Sequence, residues 1–144
     1  MTFGMPSLHK VKIYSDGGAR GNPGPAAIGV LICDEAGHEL QDHQEVIGQT
    51  TNNVAEYKAV IAGLDLAKKL GAREIDYFVD SELVAKQMSG EYRVKTPHIQ
   101  VLFTTVLEKR KGFERVKFTH VPRTHEKIRY VDRLVNQALD EAGH

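Results

Sequence analysis

Polar and apolar residues alternate from Lys10 to Ser15, and a period of two marks a half-buried strand. The alternation stops at Asp16-Gly17-Gly18, and the Gly- and Pro-rich stretch Ala19 to Pro25 predicts a turn or loop. Ala26 to Cys33 is a compact apolar run that predicts a second strand, and Asp34-Glu35-Ala36-Gly37 then reads as a hairpin turn. His38 to Gly48 alternates again, which predicts a third, more exposed strand.

The period then changes. From Val54 to Leu70 the apolar positions Val54, Tyr57, Ile61, Leu64 and Leu66 fit a helix buried over much of its surface. Thr51 or one of the two Asn residues after it supplies the N-cap, Glu56 follows in the position of a capping-box acid, and Gly71 is the stop signal. Glu74 to Val79 predicts a fourth strand ending at Asp80. A short helix is expected over Glu82 to Met88, and a second one opens at Pro97 and runs to about Lys111. Glu114 to Val121 alternates as a fifth strand, and Ile128 to Ala142 carries Val131, Leu134, Val135, Ala138 and Leu139 at helical spacing. The order βββαβααβα, a meander followed by strands alternating with helices, predicts an α/β domain with one mixed sheet.

The length of 144 residues fits one domain. A domain of that size buries about 68–70% of its unfolded surface, enough for a real core. Residues 1–9 read as an N-terminal tail and 10–144 as the domain. Met5 is an alternative start, and Met1 to Ser7 lack the apolar stretch of a secretory signal. The longest apolar runs fall far short of the ~20 residues of a membrane span. A single cysteine, Cys33, forms no internal disulfide, so a reducing compartment, the cytoplasm, is expected. The net charge of zero excludes a protein that binds nucleic acid by bulk charge alone. The stretch Lys109 to Arg133 still carries nine Lys/Arg against three acids, which is either a solvated surface or a local basic face.

Two acids, Asp16 and Asp80, stand at the predicted C-terminal ends of strands, where open α/β sheets place ligand sites. Glu56, early in the long helix, and Asp132, early in the last one, can reach the same crevice. Each acid taken alone has a plain structural use: Asp16 as a turn residue before Gly-Gly, Asp80 as a helix cap, Glu56 as an acid favoured by the helix dipole, Asp132 as a surface acid. The case rests on the set. Four acids without Cys or His suit Mg²⁺ or Mn²⁺ rather than zinc. Packed together without a cation they repel, so metal is expected to raise the melting temperature.

The motifs make the reading specific. Tyr14-Ser15-Asp16-Gly17-Gly18-Ala19-Arg20-Gly21-Asn22-Pro23-Gly24-Pro25 resembles the first-strand motif of the type 1 ribonuclease H family, and Thr50-Thr51-Asn52-Asn53-Val54-Ala55-Glu56-Tyr57 resembles its first-helix motif. Phe78-Val79-Asp80-Ser81 resembles the third motif, and Val121-Pro122-Arg123 with Asp132-Arg133-Leu134 the last. The resemblance runs from about Lys10 to Ala142. It implies a ribonuclease H-like domain: a five-stranded mixed sheet, three antiparallel strands then two parallel ones, with helices on both faces. It also implies an endoribonuclease that cuts the RNA strand of RNA/DNA hybrids with two Mg²⁺ or Mn²⁺ ions, leaving 5′-phosphate and 3′-hydroxyl ends.

By the same resemblance Asp16 bridges both ions, Asp132 serves the ion at the attacking water, and Glu56 and Asp80 serve the ion at the leaving oxygen. Thr51 resembles a residue that holds a DNA-strand phosphate, while Asn22 and Asn53 resemble groups that touch bases and sugars. Ala19 and Arg20 offer backbone groups near the same strand. Asn22 and Asn53 are equally turn and cap residues.

The chain departs from the family at several points. Glu82 stands where Gln is frequent, Ile128 where Asn is frequent, and Val131 replaces a small residue. The family's loop histidine has no counterpart at the usual distance, and His125 or Arg123 is the candidate substitute. Gly90 to Pro97 is too short for the family's basic protrusion, so binding is expected to be weak, salt-sensitive and dependent on the C-terminal basic stretch. This short form resembles members whose substrate range includes double-stranded RNA, and a monomer is expected. Three other readings are a non-catalytic hybrid-binding module of the same fold, another nuclease or integrase-like member of the superfamily, and a nucleotide binder. The loop at 17–24 lacks the Gly-Lys-Ser/Thr that the last would need.

Overall fold

A computed structural model describes residues 9–144, and the first eight residues of the expected tail lie outside the described part. The chain runs through β1 (Lys10–Ala19), β2 (Gly24–Asp34), β3 (Glu39–Thr50), α1 (Asn52–Lys69), β4 (Glu74–Val79), α2 (Glu82–Met88), α3 (Pro97–Arg110), β5 (Arg115–His120) and α4 (Glu126–Glu141). The strands form one sheet in the order β3-β2-β1-β4-β5. The first three are antiparallel neighbours, and β4 and β5 join β1 in parallel. Both the element order and the mixed topology agree with the sequence expectation.

Strand β2 explains its own unbroken apolar run, because both of its faces are covered. Val30 and Ile32 face the larger core, with Val11 and Ile13 of β1, Ile75, Tyr77 and Val79 of β4, and Tyr57, Val60 and Leu64 of α1. Leu31 and Cys33 face the other side, under Ile128, Val131 and Leu134 of α4. Helices therefore lie on both faces, with α3 packed against α1. The edge strand β3 is exposed or half-buried at every residue, Leu40 and Val46 included, which fits the expectation of a more exposed strand but shows no buried face. Among the described residues no helix is long and apolar enough to cross a membrane.

One boundary differs in a way that matters. The strand expected to stop before Asp16 continues to Ala19, and β2 begins at Gly24. Gly17, Gly18 and Ala19 pair with Ile28, Ala27 and Ala26, so the glycines belong to the ladder rather than to a loop. Gly17 is glycine because a Cβ there would stand 2.2 Å from the Ala55 carbonyl oxygen. Helix α1 is capped by Thr51, whose Oγ accepts from the Val54 N–H at 3.2 Å, as expected. Glu56 is its fifth residue and takes no part in a capping box.

Candidate active site

The last register pair between the parallel strands β1 and β4 is Tyr14 with Phe78. Their rings stack with centroids 4.9 Å apart. Asp16 and Asp80 each follow two residues later, and residues two apart on a strand share a face. Both carboxylates thus emerge beside each other just past the point where β4 ends and β1 runs on alone with β2. From the opposite face, the contact of Gly17 with Ala55 brings the first turns of α1 against β1 and delivers Glu56. One carboxylate oxygen from each of Asp16, Glu56 and Asp80 lies within 4.8 Å of the others.

Asp132 arrives by a second close approach. Gly29, the cross-strand partner of Asp16, sits under α4, where a Cβ would meet the Val131 carbonyl oxygen at 2.5 Å. The next residue, Asp132, stands outside the tight triad, yet lies near enough to Asp16 to raise the pKa of its carboxyl. All four acids line one open cleft of about 400 Å³, together with Gly17, Gly18, Ala19, Arg20, Asn52, Arg123 and Asn136.

This grouping is electrostatically uphill. Burial, then the charges of Asp80, Asp132 and Glu56, push the Asp16 carboxyl up to about 8. Burial also pushes Glu56 up to about 7, with Asp80 adding to the rise, against the Ser81 hydroxyl and the charge of Arg123. A site of hard oxygen donors lacking a countercharge is what a divalent cation completes. The donor set fits a metal ion held by Asp16, Glu56 and Asp80, with Asp132 at its side.

The remaining candidates divide. Arg123 lines the cleft, with its Nε 3.5 Å from Asp80. His125 does not line it: the residue caps α4, accepts from the Lys127 N–H at 3.1 Å and packs on the Tyr14 ring. The Ala19 N–H is taken by Asn52 Oδ1 at 2.8 Å, and the Arg20 N–H by the Pro25 carbonyl at 2.8 Å, so neither is open to a ligand. Asn22 Oδ1 accepts from the Asn52 N–H at 3.1 Å, in keeping with its use as a turn residue. Asn53 Oδ1 is buried without a hydrogen-bond partner among the described residues. Thr51 uses its oxygen as the cap, which leaves its O–H to donate. Glu82 pairs with Lys86 at 2.8 Å and lies outside the cleft.

Sequence reasoning passed over three residues of the site: Asn52, which ties α1 to the β1–β2 turn; Ser81, which lies beside Glu56; and Asn136, which bonds Asp132. Asn52 and Ser81 lie inside the quoted motifs, so the motifs carried that signal. Asn136 sits four residues after Asp132 on α4, a spacing that puts both on one face.

Comparison with known proteins gives a consistent set of relatives. A family model described as reverse transcriptase-like matches residues 14–138. The bifunctional protein Rv2228c of Mycobacterium tuberculosis is 46% identical over 93% of this chain, which spans 36% of that protein, about a third of its length. Among solved structures, RNase H1 of the halophilic archaeon Halobacterium salinarum superposes with a TM-score of 0.88 at 39% identity, covering 92% of this chain and 98% of that one. LC11-RNase H1, solved in complex with an RNA/DNA hybrid, superposes with a TM-score of 0.87 at 42% identity, covering 93% and 99%.

Proposed function

The chain belongs to the type 1 ribonuclease H family, and from that premise we propose that it is an endoribonuclease that hydrolyses the RNA strand of RNA/DNA hybrids, leaving 5′-phosphate and 3′-hydroxyl ends. The observation that carries the reading is the oxygen-only cluster of Asp16, Glu56 and Asp80 within 4.8 Å, at the floor of an open cleft. A non-catalytic hybrid-binding module would have no need to hold half-buried acids so close.

The metal-holding residues in this proposal are Asp16, Glu56, Asp80 and Asp132, and the fitting ions are two Mg²⁺ or Mn²⁺. Bound there, such ions neutralise phosphodiester charge and supply an activated water. The chain's own residues do the rest. Asp16 faces the other three acids and is the natural shared ligand. Ser81 beside Glu56 favours its charged form. Arg123, with a side chain 90% exposed, offers its positive charge to the backbone phosphates at the rim. It takes the place proposed for the family's loop histidine, because His125 is held against Tyr14 and by its cap bond. The Thr51 hydroxyl is placed to donate to a phosphate of the DNA strand. With only 89–96 between α2 and α3, grip on the hybrid rests on the cleft rim and the basic C-terminal stretch, and the substrate range extends to double-stranded RNA. The chain acts as a monomer.

The test is a panel of end-labelled substrates (RNA/DNA hybrid, double-stranded RNA, single-stranded RNA and duplex DNA), each with Mg²⁺ or Mn²⁺. Cleavage of the hybrid RNA strand, with weaker cleavage of double-stranded RNA, supports the proposal. Binding of the hybrid without cleavage in either metal would replace it by the binding module, and cleavage of duplex DNA would point to another nuclease of the superfamily.

A further inference from the structure

Asp132 differs from its three partners in how it is held. The others are partly buried against the sheet end, whereas Asp132 is exposed on the first turns of α4. Its carboxylate nonetheless has a fixed neighbour: Asn136 Nδ2 donates to the Asp132 carbonyl at 3.1 Å and reaches the carboxylate Oδ2 at 3.4 Å. The other end of the same amide faces Arg20, whose Nη2 lies 3.3 Å from both Asn136 Oδ1 and the Asn136 carbonyl. Arg20 is itself pinned by Asp140 at 2.8 Å and by the His144 carbonyl at 2.7 Å. Asp132, Asn136 and Asp140 thus form a stripe at four-residue spacing along α4, and one guanidinium holds its last two members.

We propose that Arg20 and Asn136 are positioning residues that act in series to aim the Asp132 carboxylate at the metal site. The chemistry fixes the direction of the relay. A guanidinium only donates, so the amide must turn its oxygen toward Arg20 and its NH₂ toward Asp132. A flipped amide would set N–H against N–H and a carbonyl against a carboxylate. The contacts are exposed, where water competes and net stabilisation is small. Their consequence is therefore orientation rather than fold stability. Partners of ligating carboxylates commonly govern metal affinity by about 10- to 100-fold. The Arg20 side chain accordingly serves α4, a role that the backbone contact expected of Arg20 from the sequence did not include.

This inference rests on the reading of the acids as a metal site, and the experiment separates the two. Mn²⁺ is titrated calorimetrically, without nucleic acid, into the full chain and into Asn136→Ala, Asn136→Asp, Arg20→Met and the Arg20→Met/Asn136→Ala pair. Melting in EDTA is recorded for each. The relay predicts that Asn136→Ala weakens Mn²⁺ binding about tenfold while the melting temperature in EDTA moves by less than about 2 °C. Asn136→Asp keeps the shape and the pairing with Arg20 but loses the donor, so it also weakens binding and covers the case of a poorly folding Ala variant. Arg20→Met weakens binding, and the double variant is no worse than Asn136→Ala alone, because the two act in one chain. Wild-type affinity in both Asn136 variants overturns the relay, as does full additivity in the pair. Absence of Mn²⁺ binding by the wild-type chain removes the metal reading itself, and the relay with it.

Discussion

Asp16 stands opposite Gly29 across the β1/β2 ladder, and that pairing is what lets the last helix reach the site. The backbone of α4 rests on Gly29 at Val131, so the following residue, Asp132, falls beside Asp16. A second glycine, Gly17, does the same for α1 and Glu56. Two missing side chains on neighbouring strands, one under each helix, bring together acids that are 116 residues apart in the chain, from Asp16 to Asp132.

Adjacent glycines therefore give opposite outcomes. Gly17→Ala forces a Cβ into the Ala55 carbonyl, whereas a Cβ on Gly18 meets nothing closer than 3.7 Å. Gly17→Ala is expected to cost about 1–3 kcal/mol, as overpacking does, and to suppress hybrid cleavage by moving Glu56. Gly18→Ala is expected to change stability by less than about 0.5 kcal/mol. Denaturant melts and cleavage rates of the two variants check this, and equal behaviour would contradict it.

The raised carboxyls make the metal-free protein sensitive to pH. The folded chain holds protons on Asp16 and Glu56 up to about 8 and about 7. The unfolded chain releases them near the ordinary carboxyl value of about 4. Between those limits the fold binds more protons than the unfolded chain, so this contribution is full below about pH 4 and is lost as pH rises through 7 to 8. In EDTA the melting temperature should fall across that window. A saturating divalent cation should raise it, and by more at pH 8 than at pH 5. Thermal melts in EDTA and in Mn²⁺ at the two pH values test the sign.

Deep in the larger core, the Tyr77 hydroxyl donates to Ser15 Oγ at 2.8 Å, and Gly63 leaves room for it. Tyr77→Phe deprives the buried Ser15 of that partner one residue before Asp16. A loss of about 1–2 kcal/mol follows from an unpaired buried hydroxyl. At about 4 °C per kcal/mol the change is readily seen in a thermal melt.

Arg123 sets up a test of how the substrate is gripped. With most of its side chain in solvent, it contributes little to the fold. Arg123→Ala should raise KM for the hybrid, leave the melting temperature nearly unchanged, and lower the slope of log binding constant against log salt by about 1. An unchanged salt slope would remove Arg123 from the phosphate contacts. His125→Ala, by contrast, should register in stability through α4 and Tyr14.

Periodicity was enough for the element order, because the apolar run of β2 and the helical spacing of α1 and α4 follow from burial, while the alternation of β3 marks a strand that stays exposed or half-buried throughout. It failed at Gly17 to Ala19, where glycine was read as a break although it marks a close helix approach inside a strand. The four acids were legible through the motifs that surround them. The cap of Thr51 was legible from residue type. What could not be read was side-chain direction: that Arg20 turns to α4, that His125 turns to Tyr14, and that Asn136 bridges Arg20 to Asp132. Those depend on contacts between segments distant in the chain, which no local pattern encodes.

The most direct test of the account compares wild type with Asp16→Asn on one labelled RNA/DNA hybrid in Mg²⁺ or Mn²⁺, measuring binding and cleavage on the same samples. A partner of a metal ligand costs about 10- to 100-fold, so loss of the central ligand itself should slow cleavage by at least about a hundredfold while the hybrid is still bound. Cleavage by Asp16→Asn at the wild-type rate would contradict the account.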